Sequence, residues 1–220
     1  GSAQCKSAVI FAGMRTKGVT IIKARKSRNH TELLSKYLKL PIKVKNKKNY
    51  DLIKIEKVNK FQKINYNIPS DISSSAFFMV LTALTKDAKL TIKNVNINSS
   101  RTGIITILKM MGIKIKYQNK KKYKGEEIAD IKIESPKFIK AINCPTKYNT
   151  SAIDEFMVIF LVAAKARGVS KFSNLAELNQ KESPRLEWGN KILNSMGIKT
   201  ILTKNSIKIF GNPNVKVEKK

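Results

Sequence analysis

Apolar residues recur along this chain with two different spacings, which predict helices and strands in a regular order. A helical spacing appears in segments such as Ala8–Met14, and a period of two appears in segments such as Tyr50–Ile55. Over the first 66 residues the pattern predicts a helix at 3–16, a strand at 18–22, a helix at about 30–38, and a hairpin of strands 41–44 and 50–55.

The same order of helix, strand, helix, strand and strand is predicted twice more, with a period of roughly 70 to 85 residues. The second set consists of a helix through 76–81, a strand at 89–93, a helix at 102–111, and strands at 113–116 and 131–133. The third set consists of a helix at 153–167, a strand at 169–172, a helix at 184–196, and strands at 198–202 and 206–210. Gly112 and Gly197 are predicted to end the second helices of these two sets. The predicted fold class is therefore mixed α/β (α+β), built from three repeats.

The composition favours a protein with a core of its own and without a membrane segment. The chain has 220 residues, of which 42% are hydrophobic, enough for one large domain or two small ones. Its longest apolar run, Phe156–Ala164, is nine residues and too short to span a bilayer. The first residues carry no apolar signal region, and Cys5 and Cys144 lie far apart without metal-ligand spacing. We therefore expect a protein of the reducing cytosol.

The formal net charge of +29 is compatible with a nucleic-acid-binding protein, but the kind of basic residue argues against it. Arginine, whose planar side chain suits phosphates and bases, supplies only six of the 44 basic residues. The lysines are spread over the whole chain and accompany many Asn and Ile residues, as an AT-rich genome would encode. Two lysine-rich runs, 43–48 and 120–124, are predicted to be solvated hairpin loops.

A serine followed closely by an arginine precedes the second helix of every set and predicts an anion site. The three instances are Ser27-Arg28, Ser100-Arg101 and Ser183-Pro184-Arg185. In the third set Ser183 is a good N-cap, and Pro184 suits the first helical position. Free backbone N–H groups of that helix would then point in the same direction as Lys181 and Arg185. The alternative is that serine caps each helix and arginine pairs locally.

Two carboxylates beside these groups are candidates for proton transfer. Asp154 opens the first helix of the third set, directly before an apolar run, and would act as a general base. Glu182, between Lys181 and Arg185, is the matching proton donor. The alternative is that the helix dipole alone favours acids at these helix starts. His30, the single histidine, is expected to be a polar neighbour of a helix start, and the sequence contains no metal-ligand cluster and no Walker or Rossmann glycine pattern.

Five segments carry a resemblance to a known family. They are Ser2-Ala3-Gln4-Cys5-Lys6-Ser7-Ala8, Ser27-Arg28-Asn29-His30-Thr31-Glu32, Ser99-Ser100-Arg101-Thr102-Gly103-Ile104, Ile153-Asp154-Glu155 and Lys181-Glu182-Ser183-Pro184-Arg185-Leu186. In order and spacing they resemble 3-phosphoshikimate 1-carboxyvinyltransferase, also called enolpyruvylshikimate-phosphate synthase, over essentially the whole chain. The resemblance is closest to the glyphosate-tolerant class of that family, which carries Ser-Ala-Gln and Ser-Arg-Asp-His-Thr.

The resemblance implies a fold and a reaction. The fold would be a two-domain enolpyruvyl transferase, in which repeated units form an inside-out α/β barrel. The family enzyme joins shikimate 3-phosphate to phosphoenolpyruvate by addition and then elimination, releasing phosphate without a metal or cofactor. The resemblance thus implies a cytoplasmic, monomeric enzyme of aromatic amino acid (chorismate) biosynthesis, with small-molecule substrates and no nucleic-acid or membrane partner.

The resemblance also implies roles for individual residues. The residues that would hold shikimate 3-phosphate are Ser2, Ala3, Gln4, Arg28, Asp154 and Lys181. Those that would contact phosphoenolpyruvate are Gln4, Lys181 and Arg185. The catalytic residues would be Asp154, which takes the proton of the attacking hydroxyl, Glu182, which shuttles the proton at the methylene carbon, and Lys181, which bridges both substrates.

The chain departs from the family pattern at three places and in length. The family usually has Asp where this chain has Asn29 and Pro184, and Arg-Val where it has Asn179-Gln180. The chain matches a central fragment, in which residues 1–66 would be the last repeat of one domain and residues 67–220 two repeats of the other. We expect little activity from it alone, because several positioned groups of the family would be missing. Two alternatives stay open, namely a basic nucleic-acid-binding module and a non-catalytic relative.

Overall fold

The computed structural model describes residues 2–215, which form six α-helices and nine β-strands in the predicted order. The helices are α1 (Ala3–Arg15), α2 (His30–Tyr37), α3 (Ile72–Leu84), α4 (Gly103–Met110), α5 (Phe156–Ala164) and α6 (Arg185–Ser195). The strands are β1 (Val19–Arg25), β2 (Ile42–Asn46), β3 (Tyr50–Glu56), β4 (Lys89–Asn96), β5 (Lys114–Tyr123), β6 (Glu126–Glu134), β7 (Gly168–Phe172), β8 (Thr200–Thr203) and β9 (Ser206–Gly211). Short 3₁₀ segments lie at Thr146–Tyr148, Thr150–Ala152 and Ala176–Gln180.

The strands form three three-stranded sheets that share one topology. Their orders are β1-β3-β2, β4-β6-β5 and β7-β9-β8, so the last strand of each set lies between the two earlier ones. In the first sheet β3 is antiparallel to both neighbours, with Ile53 opposite Ile22 on one side and Val44 on the other. In the third sheet β9 is likewise antiparallel to β7 and β8. The threefold repeat of helix, strand, helix, strand and strand is confirmed.

Two glycines end helices at the predicted places. Gly112 and Gly197 follow the last turns of α4 and α6, with φ angles of +93° and +75°. Backbone in this left-handed region favours glycine, because a Cβ atom would be strained there.

The two lysine-rich runs lie mostly in strands, so the prediction of loops is wrong there. β2 contains residues 43–46 and β5 contains residues 120–123. Both are edge strands, and their lysine side chains are exposed. Lysine is common on edge strands because its charge discourages pairing with a further chain.

The described residues divide into two compact units, each with its own core. Unit 1 comprises residues 2–69 and 121–128, and unit 2 comprises residues 70–120 and 129–215. The core of unit 1 is a small cluster of Ile10, Met14, Ile42, Ile53, Ile55 and Val58. The larger core of unit 2 includes three fully buried rings whose centroids lie 5.3 to 6.0 Å apart, those of Phe156, Phe160 and Phe172. Assignment of these units to the two domains of a longer enzyme stays a prediction.

α5 is the helix that directly follows Asp154, one of the candidate catalytic residues of unit 2. Seven of its nine residues are buried, and it packs against α3, α4, α6 and β9. A helix that is apolar on nearly every side is stable only inside a core. Within residues 2–215, no helix is both long and apolar enough to cross a membrane.

Candidate active site

In unit 1, four of the predicted binding residues come together at the start of α1. Ser2 is the N-cap of this helix, and its Oγ accepts a 3.2 Å hydrogen bond from the N–H of Cys5. Ala3 and Gln4 occupy the first two helical positions. Arg28, in the loop between β1 and α2, donates from Nη2 to Gln4 Oε1 over 3.4 Å. The guanidinium of Arg28 therefore lies beside Ser2, Ala3 and Gln4 at the start of α1.

A buried ion pair lies behind Arg28 and fixes the loop that carries it. Lys6 Nζ lies 2.6 Å from Glu32 Oε1, and the two side chains are 2% and 4% exposed. The same Nζ donates to the backbone oxygen of Arg28 over 2.8 Å. The hydroxyls of Ser7 and Thr31 lie 2.7 Å apart. α1 and the start of α2 are thereby tied together around the Arg28 loop, by contacts that the sequence analysis did not include.

His30 is engaged elsewhere in unit 1. It is the first residue of α2, as predicted, and its Nδ1 lies 2.6 Å from Glu126 Oε1. The Glu126 side chain is 9% exposed, so this contact belongs to the packing of unit 1 around the turn between β5 and β6.

In unit 2, two cations converge on one oxygen of Asp154. Asp154 Oδ1 lies 3.1 Å from Arg185 Nη1 and 3.4 Å from Lys181 Nζ. Arg185 also donates from Nη2 to Glu182 Oε2 over 3.0 Å. The first three side chains are 21% to 26% exposed, whereas Glu182 is 83% exposed. The structure thus brings together all four residues predicted for this part of the site, with Glu182 at its outer edge.

Asp154 lies in a turn that precedes α5, not in the helix itself. α5 begins at Phe156, so the predicted helix start at 153 is wrong by three residues. The turn follows the 3₁₀ segment Thr150–Ala152, on which α4 packs closely. A Cβ atom on Gly103 would lie only 2.8 Å from the backbone carbon of Ser151, so this approach requires glycine. Backbone packing therefore helps to hold the turn that presents Asp154.

The prediction that Ser183 caps the second helix of its set is wrong, and so is the alternative that serine caps the second helix of every set. α6 begins at Arg185, and its N-cap position is occupied by Pro184 instead of Ser183. In the other two sets the N-caps are Asn29 and Thr102, and neither makes a side-chain cap hydrogen bond. The recurring serine therefore marks the loop before each helix and not the cap.

The start of α6 is capped from further upstream. Asn179 Oδ1 accepts hydrogen bonds from the N–H groups of Leu186, at 3.1 Å, and Glu187, at 3.4 Å. These N–H groups were expected to be free for an anion, but both are already occupied. The positive charge of this site therefore comes from the side chains of Lys181 and Arg185, not from the helix end.

A second polar group lies behind Asp154 in unit 2. Glu155, which is 4% exposed, accepts a hydrogen bond from the hydroxyl of Ser73. Ser73 Oγ accepts in turn from Arg101 Nη2, at 2.5 Å, and the same nitrogen lies 3.1 Å from Asp71 Oδ1. Arg101 was expected to take part in an anion site, and it is instead bound to Ser73 and Asp71. No pattern in the sequence indicated a role for Ser73.

The two glutamates near the site have pKa values shifted in opposite directions. Burial raises the pKa of Glu155, and the Ser73 hydrogen bond and the Arg101 charge offset part of that rise. The pKa of Glu182 is lowered, first by its own backbone N–H and then by the charge of Arg185. Glu182 is therefore a carboxylate at neutral pH.

The arrangement in unit 2 can bind an anion and accept a proton. Lys181 and Arg185 both bind carboxylate oxygens here, and the same donors suit a phosphate or a substrate carboxylate. Asp154 lies between them and can accept a proton from a hydroxyl that approaches the same place. Among residues 2–215, no group of three or more His, Cys, Asp and Glu side chains is placed to hold a metal ion.

Comparison with known proteins gives consistent matches. A family model for EPSP synthase (3-phosphoshikimate 1-carboxyvinyltransferase) matches residues 1–218. The 3-phosphoshikimate 1-carboxyvinyltransferase of Ruthia magnifica subsp. Calyptogena magnifica is 40% identical over 222 residues, which cover 99% of this chain and 50% of the relative. That of Hydrogenovibrio crunogenus is 38% identical and covers 96% and 47%. The chain spans about half the length of the curated relatives it matches.

Solved structures agree with these matches. EPSP synthase from Acinetobacter baumannii superposes with a TM-score of 0.86 at 38% identity, covering 96% of this chain and 47% of that one. The enolpyruvyl transferase NikO from Streptomyces tendae superposes with a TM-score of 0.64 at 14% identity, covering 95% and 47%, which is a likeness of fold alone. The predicted enolpyruvyl-transferase fold is confirmed.

Proposed function

We propose, because this chain belongs to the EPSP synthase (3-phosphoshikimate 1-carboxyvinyltransferase) family, that its residues form part of the site where such an enzyme transfers the enolpyruvyl group of phosphoenolpyruvate to shikimate 3-phosphate. In the addition step a hydroxyl oxygen of shikimate 3-phosphate bonds to the enol carbon, and a proton is added to the methylene carbon. In the elimination step the methyl group formed by that protonation loses a proton. The bond between the former enol carbon and the phosphate oxygen breaks, and inorganic phosphate leaves. The observation that carries the proposal is the convergence of Lys181 and Arg185 on Asp154.

The ion pairs of unit 2 suggest how substrate binding would prepare the reaction. Lys181 and Arg185 are both paired with Asp154 Oδ1. An incoming phosphate or carboxylate would replace Asp154 as their partner. Both cations bind oxygen anions of this kind in the same way as they bind the Asp154 carboxylate. Asp154 would then be available to accept the proton of the attacking hydroxyl. Lys181 would contact both substrates, and Arg185 would bind phosphoenolpyruvate.

Glu182 is the proposed proton carrier at the methylene carbon. Its lowered pKa makes it a carboxylate at neutral pH, so it must first take up a proton before it can donate one. Its 83% exposure to solvent supports this order, since water can supply that proton. Binding of an anion to Arg185 would remove one cause of the lowered pKa and so favour the protonated form.

The residues of unit 1 are proposed to bind shikimate 3-phosphate. The residues assigned to shikimate 3-phosphate there are Ser2, Ala3, Gln4 and Arg28, and Gln4 is also assigned to phosphoenolpyruvate. Support comes from the 3.4 Å contact between Arg28 Nη2 and Gln4 Oε1, which directs the guanidinium toward the start of α1. The N-terminal end of a helix and an arginine together favour an anion.

The proposed partners are these two small molecules, without nucleic acid, for a monomeric protein of the cytoplasm. Several lysines lie over aromatic rings, including Lys109 over Tyr117 at 5.4 Å and Lys191 over Trp188 at 4.9 Å. Single-stranded nucleic acid is usually held by bases stacked on open aromatic faces. Tyr117 and Trp188 are 39% and 49% exposed, so these contacts do not decide the question, and it is the scarcity of arginine, six of the 44 basic residues, that favours a small-molecule enzyme over a nucleic-acid-binding module.

The test measures phosphate release from shikimate 3-phosphate and phosphoenolpyruvate by a chimera of family length. In this chimera residues 1–220 replace the matching 47% of the Acinetobacter baumannii enzyme. Asp154→Asn is expected to lower kcat by ~10²–10⁴-fold, the range for a positioned proton-transfer group, without a change in Tm.

Asp130→Asn is the matched control for a structural carboxylate. Asp130 accepts hydrogen bonds from the N–H of Asn94, the side chain of Asn119 and Lys93, and these lower its pKa to about 2. Its loss is expected to lower Tm and leave kcat unchanged. An Asp154→Asn chimera that loses stability and rate together would show that Asp154 is structural.

A further inference from the structure

We propose that Asn179 is a positioning residue, which closes the segment 179–187 into a loop and so fixes the side chains that surround Asp154. The inference rests on the proposed function only where it assigns substrate binding to those side chains. Its structural part, the closure of the loop, depends on no substrate.

The side chain of Asn179 joins points that lie seven and eight residues apart in the sequence. Its Oδ1 accepts from the N–H groups of Leu186, at 3.1 Å, and Glu187, at 3.4 Å. The first N–H groups of a helix have no partner within the helix, and Pro184, in the N-cap position, has no side-chain acceptor. One amide oxygen therefore both caps α6 and closes the loop.

The closed segment is anchored in the core at both ends and is not held by packing in between. Leu178 and Leu186 are both 0% exposed. None of the residues 179–185 is buried. The start of the segment belongs to the 3₁₀ segment Ala176–Gln180, and the Pro184 oxygen accepts from the N–H of Trp188, but it is the Asn179 hydrogen bonds that join the two ends.

The side chains that pair with Asp154 both come from this segment. Lys181 follows the Asn179 end of the loop, and Arg185 lies at the α6 end. They reach the same oxygen of Asp154, at 3.4 and 3.1 Å, from opposite ends of the loop, so a restraint that joins the two ends also fixes these two side chains relative to each other. A displacement of about 1 Å in a positioned group can cost ~10²-fold in rate, so closure of the loop matters for the chemistry.

The same contact accounts for two departures of this chain from the family pattern described above. The chain has Pro184 where the pattern has Asp, which is a favoured N-cap residue, and it has Asn179 where the pattern has Arg. Here the cap oxygen is supplied from position 179 instead of position 184. The loss of a local cap is therefore matched by a cap from upstream, and Pro184 does not leave α6 without one.

The experiment measures backbone mobility and thermal stability of the whole chain. Nitrogen-15 relaxation is expected to give order parameters near ~0.85 for the amides of 181–183 in the wild type, as for rigid backbone. Asn179→Ala is expected to lower them below about 0.6 and to lower Tm by roughly 2–6 °C, the size of a lost helix cap. Unchanged order parameters in Asn179→Ala would overturn the proposal.

A second variant separates loop closure from simple helix capping. Asn179→Ala/Pro184→Asp places a favoured N-cap residue next to α6 but leaves position 179 untied. Recovery of Tm with order parameters that stay low would support the positioning role. Recovery of both would show that Asn179 is a helix cap and nothing more, which would also overturn the proposal.

The conservative variant Asn179→Asp keeps the acceptor oxygen and is expected to keep both the order parameters and Tm close to the wild type. Mobile loop amides in this variant would count against the proposal. Since no substrate is present in these measurements, their failure is distinct from failure of the phosphate-release assay.

Discussion

The two groups of candidate site residues differ in where their paired charges lie. In unit 1 the ion pair of Lys6 and Glu32 is buried behind Arg28, with side chains 2% and 4% exposed. In unit 2 the ion pairs of the candidate site are partly exposed, with the Asp154 side chain at 22%. Glu155, the buried carboxylate next to Asp154 in unit 2, accepts a hydrogen bond from the Ser73 hydroxyl.

Burial decides what each pair contributes. Removing one partner of a buried pair leaves an uncompensated charge in the interior, which strongly destabilises the fold. A partly exposed pair is weak and can exchange one partner for a substrate anion. Under the proposed function, unit 1 holds the Arg28 loop through its backbone, whereas unit 2 keeps its cations on Asp154 until a ligand arrives.

The largest expected effect comes from Lys6→Met, which breaks the buried pair of unit 1. It leaves the Glu32 carboxylate without its cation and removes the hydrogen bond to the Arg28 backbone. The expected loss is about 3–5 kcal/mol in the free energy of unfolding of unit 1. Hydrogen exchange of the β1 and β3 amides, which lie in unit 1, measures this loss.

The double variant Lys6→Met/Glu32→Met is the control, because it removes both charges and keeps similar volumes. It is expected to recover most of the lost stability, since no unpaired charge remains. If the β1 and β3 amides of Lys6→Met exchanged as slowly as in the wild type, the pair would have no structural role and would not differ from the pairs of the unit 2 site.

A smaller, pH-dependent effect is expected from Ser73→Ala in unit 2. Burial raises the pKa of Glu155, so the folded state binds its proton more tightly than the unfolded chain. This contribution to stability is complete below about pH 4.5 and is lost as the pH rises through the raised pKa. The Ser73 hydrogen bond lowers that pKa, so Ser73→Ala is expected to extend the loss to higher pH and to cost about 1–3 kcal/mol at neutral pH.

Urea unfolding followed by Trp188 fluorescence between pH 4 and 8 measures this dependence in unit 2. The control is Ser75→Ala, since Ser75 is buried in the same first turn of α3 but donates within the helix, to Asp71 O at 2.7 Å. The loss in free energy of unfolding caused by Ser75→Ala is expected to be independent of pH. If Ser73→Ala and Ser75→Ala gave the same pH profile, the Ser73 hydroxyl would have no specific effect on Glu155.

The smallest effect on stability is expected from Glu182→Gln. Its pair with Arg185 is exposed and screened by solvent, so Tm should stay within error of the wild type. In the chimera the same variant should lower the rate of phosphate release, because the proposed proton carrier is lost. A fall in Tm of several degrees would place Glu182 with the structural pairs and remove the distinction between fold-holding and exchangeable charges.

The elements were predictable from the sequence because their signals are local. The order of helices and strands follows from the spacing of apolar residues, and Gly112 and Gly197 end their helices by a backbone preference of glycine itself. Each of these inferences needs only a few neighbouring residues. The grouping of Asp154 with Lys181 and Arg185 is a tertiary contact over about thirty positions, and it was expected because both segments open helices and both belong to the family resemblance.

The contacts that the sequence did not predict join residues through the tertiary fold. Asn179 caps α6 only because the intervening loop returns on itself, and no local pattern encodes that path. Arg101 pairs with Asp71, thirty positions earlier, because α3 and α4 begin near each other in unit 2. One signal was present and unused: Lys6 shares the buried face of α1 with Ile10, and a lysine on an apolar stripe requires a buried partner.

The placement of each last strand at the centre of its sheet has a consequence for biosynthesis. β1 and β2 leave the ribosome first, but β1 has no neighbour until β3 has emerged to lie between them. At about 5–20 residues per second this leaves nascent β1 waiting for roughly 2–6 seconds with its backbone unpaired. β4 and β7 wait in the same way for β6 and β9. The risk that these unpaired strands pair with other polypeptides is therefore highest during translation, before the central strands have been synthesised.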